Sequence, residues 1–160
     1  MRVAPRLKRE FAKHPLVGVG GVVVDRDRVL LVRRGGKPLK GEWSIPGGLV
    51  HLGEELKTAV RRELAEETGL EVEPLACLVV FDRVVRDGRR VKYHYVIVDY
   101  LCRRRGGRLM PASDAMDARW VRRQDLAQYN LTDVAHQVIL RAFALAERGA
   151  PIDWGPPASP

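Results

Sequence analysis

The chain has 160 residues, enough for one domain around a single core. Hydrophobic residues make up 46% and charged residues 30%, the balance of a soluble globular protein, and no apolar run approaches the roughly 20 residues of a helical membrane span. The net charge of +8 is scattered, clustering briefly at Arg89 with Arg90 and at residues 103–105, and only 6% of residues are aromatic; a nucleic-acid interface built on a basic stripe with stacking platforms is therefore not expected.

Residues 1–14 are basic, and no apolar segment with a small-residue cleavage site follows them, so no secretory leader is expected. Residues 1–16 read as an arm, 17–148 as the domain, and the proline- and glycine-rich residues 149–160 as a flexible tail. Residues 17–24 form an apolar, strand-like run; Asp25 to Asp27 turns the chain, and residues 29–33 return as a second strand. A polar loop with Pro38 leads to Pro46, Gly47 and Gly48, which punctuate the backbone. A helix is expected over 54–68, because Leu56, Ala59, Val60 and Leu64 recur at helical spacing and Gly69 can stop it. Residues 74–82 and 91–101 are strand-like, with the Asp87-Gly88 hairpin cue between them. Residues 118–121 make a short strand, and Thr132 can cap a last helix with Val134, Val138, Ile139, Ala142 and Leu145 on one face. Cys77 and Cys102 lack metal-ligand spacing and read as reduced thiols, with the cytoplasm as the default compartment. Hairpin-joined strands with two substantial helices predict a mixed sheet packed between helices, an α/β fold.

The chemistry concentrates in the first helix. Glu63, Glu66 and Glu67 sit three and four apart, so a helix places them on one face. Carboxylates this close repel unless a cation lies among them, and an all-oxygen set suits Mg²⁺ or Mn²⁺ rather than zinc. Glu54 lies near the helix start, where the dipole favours negative charge, and Arg62 can offset the cluster through a paired contact. A solvated acidic face is the plain alternative for the three glutamates alone. The full pattern is far more specific. Gly48 is followed after five residues by Glu54, after seven more by Arg62, then by Glu63, Leu64, Glu66, Glu67, Gly69 and Leu70. A chain this long matches such a pattern by chance on the order of 10⁻⁸ of the time.

Residues 48–70 resemble the Nudix box with every defined position filled, and Gly41, Trp43, Ile45, Pro46, Gly47 and Gly48 resemble its lead-in. The resemblance extends more loosely over residues 17–146 and includes the late strand around Trp120. It implies an α/β/α sandwich and Mg²⁺-dependent hydrolysis of a diphosphate linkage, with Mn²⁺ able to substitute. By the same resemblance Glu63 and Glu67 are main metal ligands and Glu66 a further one. A backbone carbonyl near Gly48 joins them, and Glu54 and Arg62 orient the cluster, with Glu54 at a second ion. The general base is expected on a late loop, at Asp114 or Asp117, with Glu66 as a competitor. One of Arg33 and Arg34 is expected at the phosphates, since strand alternation turns them to opposite sides. Trp43 either borders the base pocket or packs in the core. Tyr93, His94 and Tyr95 alternate on a strand, one face of which can line the cleft.

The layout resembles bacterial ADP-ribose pyrophosphatase-like members, and ADP-ribose, giving AMP and ribose 5-phosphate, is the leading substrate. One departure is Val85 and Arg86, where many ADP-ribose enzymes carry a proline. The alternatives are a MutT-like (d)NTP pyrophosphohydrolase, perhaps for oxidised nucleotides, and a non-catalytic regulatory or nucleic-acid-binding module. Retention of Glu54, Glu63, Glu66 and Glu67 argues against the module. Family members are frequently homodimers, and nothing in the sequence locates an interface.

Overall fold

The computed structural model describes residues 8–149. The tail beyond Gly149 and the first seven residues of the arm lie outside the described residues. Strand β1 (Leu16–Asp25) is the axis of the sheet. Its first part pairs antiparallel with β4 (Gly47–Leu49) and its last residues pair antiparallel with β2 (Arg28–Arg34). Along its other edge it runs parallel to β6 (Arg90–Gly107), which forms a long hairpin with β5 (Leu70–Asp87). Strands β3 (Trp43–Ser44) and β7 (Ala115–Arg122) both pair with β2. The result is a seven-stranded mixed sheet.

Alternation along the strands feeds two cores. Val19, Val23, Leu30, Val32, Val98 and Tyr100 pack with Ala59, Val60 and Leu64 of helix α1 (Leu56–Thr68) on one face. Val22, Val29, Leu31, Leu101 and Val121 pack with Val138, Ile139, Ala142 and Phe143 of α2 (Asp133–Glu147) on the other. This is the expected α/β/α sandwich. No helix among the described residues is long and apolar enough to cross a membrane.

Most elements fall where the sequence puts them, with boundary shifts that have local causes. Helix α1 starts at Leu56 rather than at Glu54, because the Glu54 side chain accepts from the His51 backbone N–H (2.9 Å) and from Arg62, holding that residue in the preceding loop. It ends at Gly69, whose φ of 73° is left-handed and whose N–H bonds to the Ala65 carbonyl. Strands β5 and β6 each run 18 residues, longer than the apolar segments suggest. Charged residues continue the ladder there, Glu73 pairing with Arg103 in register and with Arg105 through its side chain (2.6 Å). A 3₁₀ helix over Arg123–Tyr129 carries no cue that alternation or capping would reveal. Thr132 caps α2 by accepting from the Ala135 N–H (3.2 Å). The buried stripe of α2 is Ala135, Val138, Ile139, Ala142 and Phe143, a clean i, i+3, i+4, i+7, i+8 face. Val134 therefore turns outward, contrary to the sequence expectation, and Leu145 only borders the core.

One carboxylate interrupts the interior. Asp99 on β6 is 5% exposed and has no hydrogen-bond or ion-pair partner among the described residues. Burial pushes its pKa up to about 6 from the ordinary 3.8, with Arg83 opposing weakly. Gly20, its register partner on β1, makes room for it: a Cβ there would run into the Asp99 carboxylate.

Two stability measurements follow from this packing. Phe143→Ala should destabilise the fold by about 3–5 kcal/mol in denaturant titrations, since the ring is 1% exposed at the centre of the α2 core. For Asp99 the folded pKa lies above the unfolded one, so the folded state holds the proton longer and stability falls as pH rises from about 4 to 6. Asp99→Asn should remove that slope. Above pH 6 the variant should be more stable by on the order of 2–3 kcal/mol, and near pH 3.5 the gap should close; equal stability across the range would contradict an uncompensated buried carboxylate.

Candidate active site

Arg62 organises the site. Its Nε and Nη2 donate to the two oxygens of Glu54 (2.6 and 2.9 Å), its Nη1 to Glu63 (2.8 Å) and Glu66 (3.3 Å), and Nη2 also reaches the Leu49 carbonyl (2.9 Å). The guanidinium so placed holds Glu54 at a pKa of about 2, well below the usual carboxylate range. The carboxylates in turn raise the Arg62 pKa further above its already high value.

Glu63 and Glu67 are shifted the other way. Burial raises both, Glu67 to about 7 even though it accepts from the Gly47 N–H (3.0 Å), and Glu63 adds like charge. Gly48 lets the helix approach: a Cβ there would fall within 2.5 Å of both Glu63 oxygens. The sequence therefore needs glycine beneath the helix for Glu63 to lie against β4.

The donor set fits a hard divalent cation. Glu63 Oε1 and Glu67 Oε2 are occupied by Arg62 and Gly47, while Glu63 Oε2 and Glu67 Oε1 have no protein donor among the described residues. Two partly desolvated carboxylates with open oxygens are stabilised by a cation, and Mg²⁺ is commonly held by one or two carboxylates with substrate phosphates completing its shell. Among the described residues no three His, Cys, Asp or Glu side chains already converge in ion-binding geometry. Glu66 is exposed and turned to Arg62, and Glu54 is fully engaged by Arg62 and His51.

These groups open into a cleft of about 310 Å³. Gly48, Arg62, Glu63, Glu66, Glu67, Arg34 and Asp114 line it, and Tyr95 joins these seven from the strand face singled out in the sequence. Glu54 stands behind them. Arg34 is half-buried, with its Nε on the Pro38 carbonyl (3.1 Å) and its pKa lowered by burial, whereas Arg33 is exposed and bonds the Gly41 carbonyl (2.9 Å). Asp114 is near enough to bear on the Glu67 charge. Asp117 is outside the lining: it accepts from the Ala118 N–H (2.8 Å) and from Arg119 (3.0 Å). Trp43 also lies outside, edge-on to Tyr129 with ring centroids 5.2 Å apart and beneath the Arg119 guanidinium.

The far wall consists of residues that sequence reasoning passed over, apart from the Tyr95 strand face. Phe81 and Arg83 of β5 stand opposite Ile97 and Tyr95 of β6, and Asp99 continues the same face. Arg9 reaches in from the arm, which is strapped to the hairpin by Glu10 accepting from Tyr93 (2.6 Å) and by Phe11 against Arg90. A lone charge inside the apolar run 96–101 was the available signal for Asp99.

The chain is similar to known proteins in sequence and in fold. A NUDIX domain profile matches residues 14–143. An ADP-ribose pyrophosphatase of Methanocaldococcus jannaschii is 36% identical over 147 residues, covering 89% of this chain and 83% of that protein. An 8-oxo-dGDP phosphatase of Mus musculus is 32% identical over 123 residues, covering 74% of this chain and 36% of that one. The crystal structure of a MutT NUDIX hydrolase from Burkholderia pseudomallei superposes with a TM-score of 0.70 at 30% identity, covering 81% of this chain and 98% of that one. With the profile spanning most of the chain and a relative aligned over most of both lengths, the chain belongs to the NUDIX domain family and is an enzyme that hydrolyses phosphoanhydride bonds.

Proposed function

We propose that the cleft hydrolyses a nucleoside diphosphate linked to a second group, with ADP-ribose as the leading substrate and AMP and ribose 5-phosphate as products. The observation that carries this reading is the pair of open oxygens on Glu63 and Glu67 in one cleft with the cationic Arg34, where a cation on the carboxylates and the guanidinium would together face an anionic diphosphate. The 36% identity to an ADP-ribose pyrophosphatase supports the choice of substrate.

Glu63 and Glu67, with the Gly48 backbone carbonyl, would hold Mg²⁺ or Mn²⁺. Such an ion would offset charge on the diphosphate and activate the attacking water. Arg34 binds the phosphates, and Arg62 keeps Glu54 and Glu63 in place. Asp114 takes the proton as a water oxygen bonds to phosphorus and the bridging P–O bond breaks. Asp114 is preferred to Asp117 because Arg119 and the Ala118 amide already occupy Asp117, and to Glu66 because Arg62 holds that residue.

A second reading, an oxidised guanine nucleotide as substrate in the MutT manner, is supported by the likeness to an 8-oxo-dGDP phosphatase. A reduced, cytoplasmic setting belongs to the same proposal, in keeping with the free thiols of Cys77 and Cys102. A homodimer rests on family resemblance alone.

With Mg²⁺, AMP should appear from ADP-ribose at a clear kinetic advantage over other NDP-sugars and nucleoside triphosphates. Pyrophosphate or phosphate released preferentially from 8-oxo-guanine nucleotides would move the assignment to the second reading. Glu67→Gln should lower kcat by about 10³-fold or more while the circular dichroism spectrum stays unchanged. Asp114→Asn should slow turnover by about 10²–10⁴-fold, and Asp117→Asn should leave it nearly as it is. A reversal of those two would transfer the base to Asp117.

A further inference from the structure

Two polar groups on the far wall have no hydrogen-bond partner among the described residues. Asp99 is 95% buried by the measure of its 5% exposure, lines the cleft, and has no donor among the described residues. The Tyr95 hydroxyl is the one fully buried side-chain N or O atom among the described residues with no partner, and it lines the same cleft. Both belong to one face of β6, four residues apart, about 13 Å along the strand, with Ile97 between them. Phe81 and Arg83 face them from β5.

A folding role for Asp99 finds no support in its surroundings, since an apolar residue would fill the same space without a desolvated charge. Gly20 nevertheless leaves it room, Phe81 and Ile97 line the same wall, and Arg83 is near enough to bear on its charge. Across the sheet it lies two strands from Gly47, whose N–H bonds Glu67, a separation of about 10 Å at ordinary strand spacing. That distance suits the gap between a phosphate held near Glu67 and the sugar or base attached to it.

We propose that Asp99 is a specificity-determining residue that accepts two hydrogen bonds from a pair of adjacent donors on the nucleoside part of the substrate. This rests on the reading of the cleft as a nucleotide site. Two groups offer such a pair: the N1–H and N2–H₂ of a guanine edge, which 8-oxoguanine retains, and the cis-diol of a ribose. An adenine edge sets one donor beside an acceptor whose lone pair repels a carboxylate. The carboxylate has no hydrogen-bond donor among the described residues, and bidentate acceptance supplies two.

The test uses binding, so that it stands apart from turnover. Calorimetric dissociation constants for GMP, dGMP, AMP and dAMP would be compared between the wild-type protein and Asp99→Asn, with Asp99→Leu as a second variant. The wild type should bind the ligands that bear the donor pair about 10- to 100-fold more tightly than those without it. A preference for GMP and dGMP identifies the guanine edge; a preference for GMP and AMP identifies the ribose diol. Both variants should lose that preference while keeping a cooperative thermal transition at or above the wild-type midpoint. Indifference of the wild type to all four ligands, or a preference kept by both variants, overturns the proposal; so does equal weakening of all four ligands. Discrimination lost in the variants while ADP-ribose and 8-oxoguanine nucleotides are not hydrolysed would sink the hydrolytic reading and leave this one standing. Hydrolysis with an unaltered preference in the variants would do the opposite.

Discussion

The fan of hydrogen bonds from Arg62 ties together parts that would otherwise repel or drift. Three carboxylates and a backbone carbonyl converge on one planar cation, and only a guanidinium has enough fixed donors to serve them all. Leu49 ends β4 and Glu54 lies in the loop that follows, while Glu63 and Glu66 come from the helix. The contact therefore sets the loop against the helix as well as neutralising charge. With Arg62 turned to one side of the cluster, Glu63 and Glu67 keep one oxygen each without a donor among the described residues.

Strand β1 provides the second constraint. Near Gly18, Val19 and Gly20 it is bonded to β4, and at Val24 and Asp25 to β2. The cleft lies along the part paired with β4, with Gly18, Val19 and Gly20 in its lining. Its lining draws on residues from both faces of the sheet: glutamates brought by α1, and the Phe81, Arg83, Tyr95, Asp99 wall from the long hairpin. Glycines at the crossing keep the backbones close to the carboxylates that need the space.

What the sequence made legible was local. The glutamate cluster, Arg62 and the helix stop at Gly69 depend on spacing within one helix and its loop, and such spacing is read directly. The choice between Arg33 and Arg34 was not readable, because a register shift between them against β7 decides which side chain turns into the cleft. Asp114 and Asp117 differ by whether a neighbouring donor, Arg119 or the Ala118 amide, has already claimed the carboxylate, which spacing alone does not reveal. Val134 and Leu145 lie just beside the packed stripe, which follows the stricter helical period through Ala135 and Phe143. The far wall was hidden because it depends on the pairing of β5, β6 and β1, whose register spans most of the chain.

That pairing also governs the order in which the molecule can assemble. Helix α1 and the β5–β6 hairpin rest largely on neighbours close in sequence, whereas the parallel ladder joins Leu16 to Tyr95 and Val23 to Cys102. Loop closure of that length is entropically unfavourable until the intervening segments have condensed, and non-local pairing slows folding. During synthesis β1 must wait, apolar and glycine-rich, with one long edge unpaired until β6 has emerged. The glycines that make room beside the carboxylates also weaken the strand's own preference for an extended form, so the early chain is poorly committed there and the late parallel ladder fixes it.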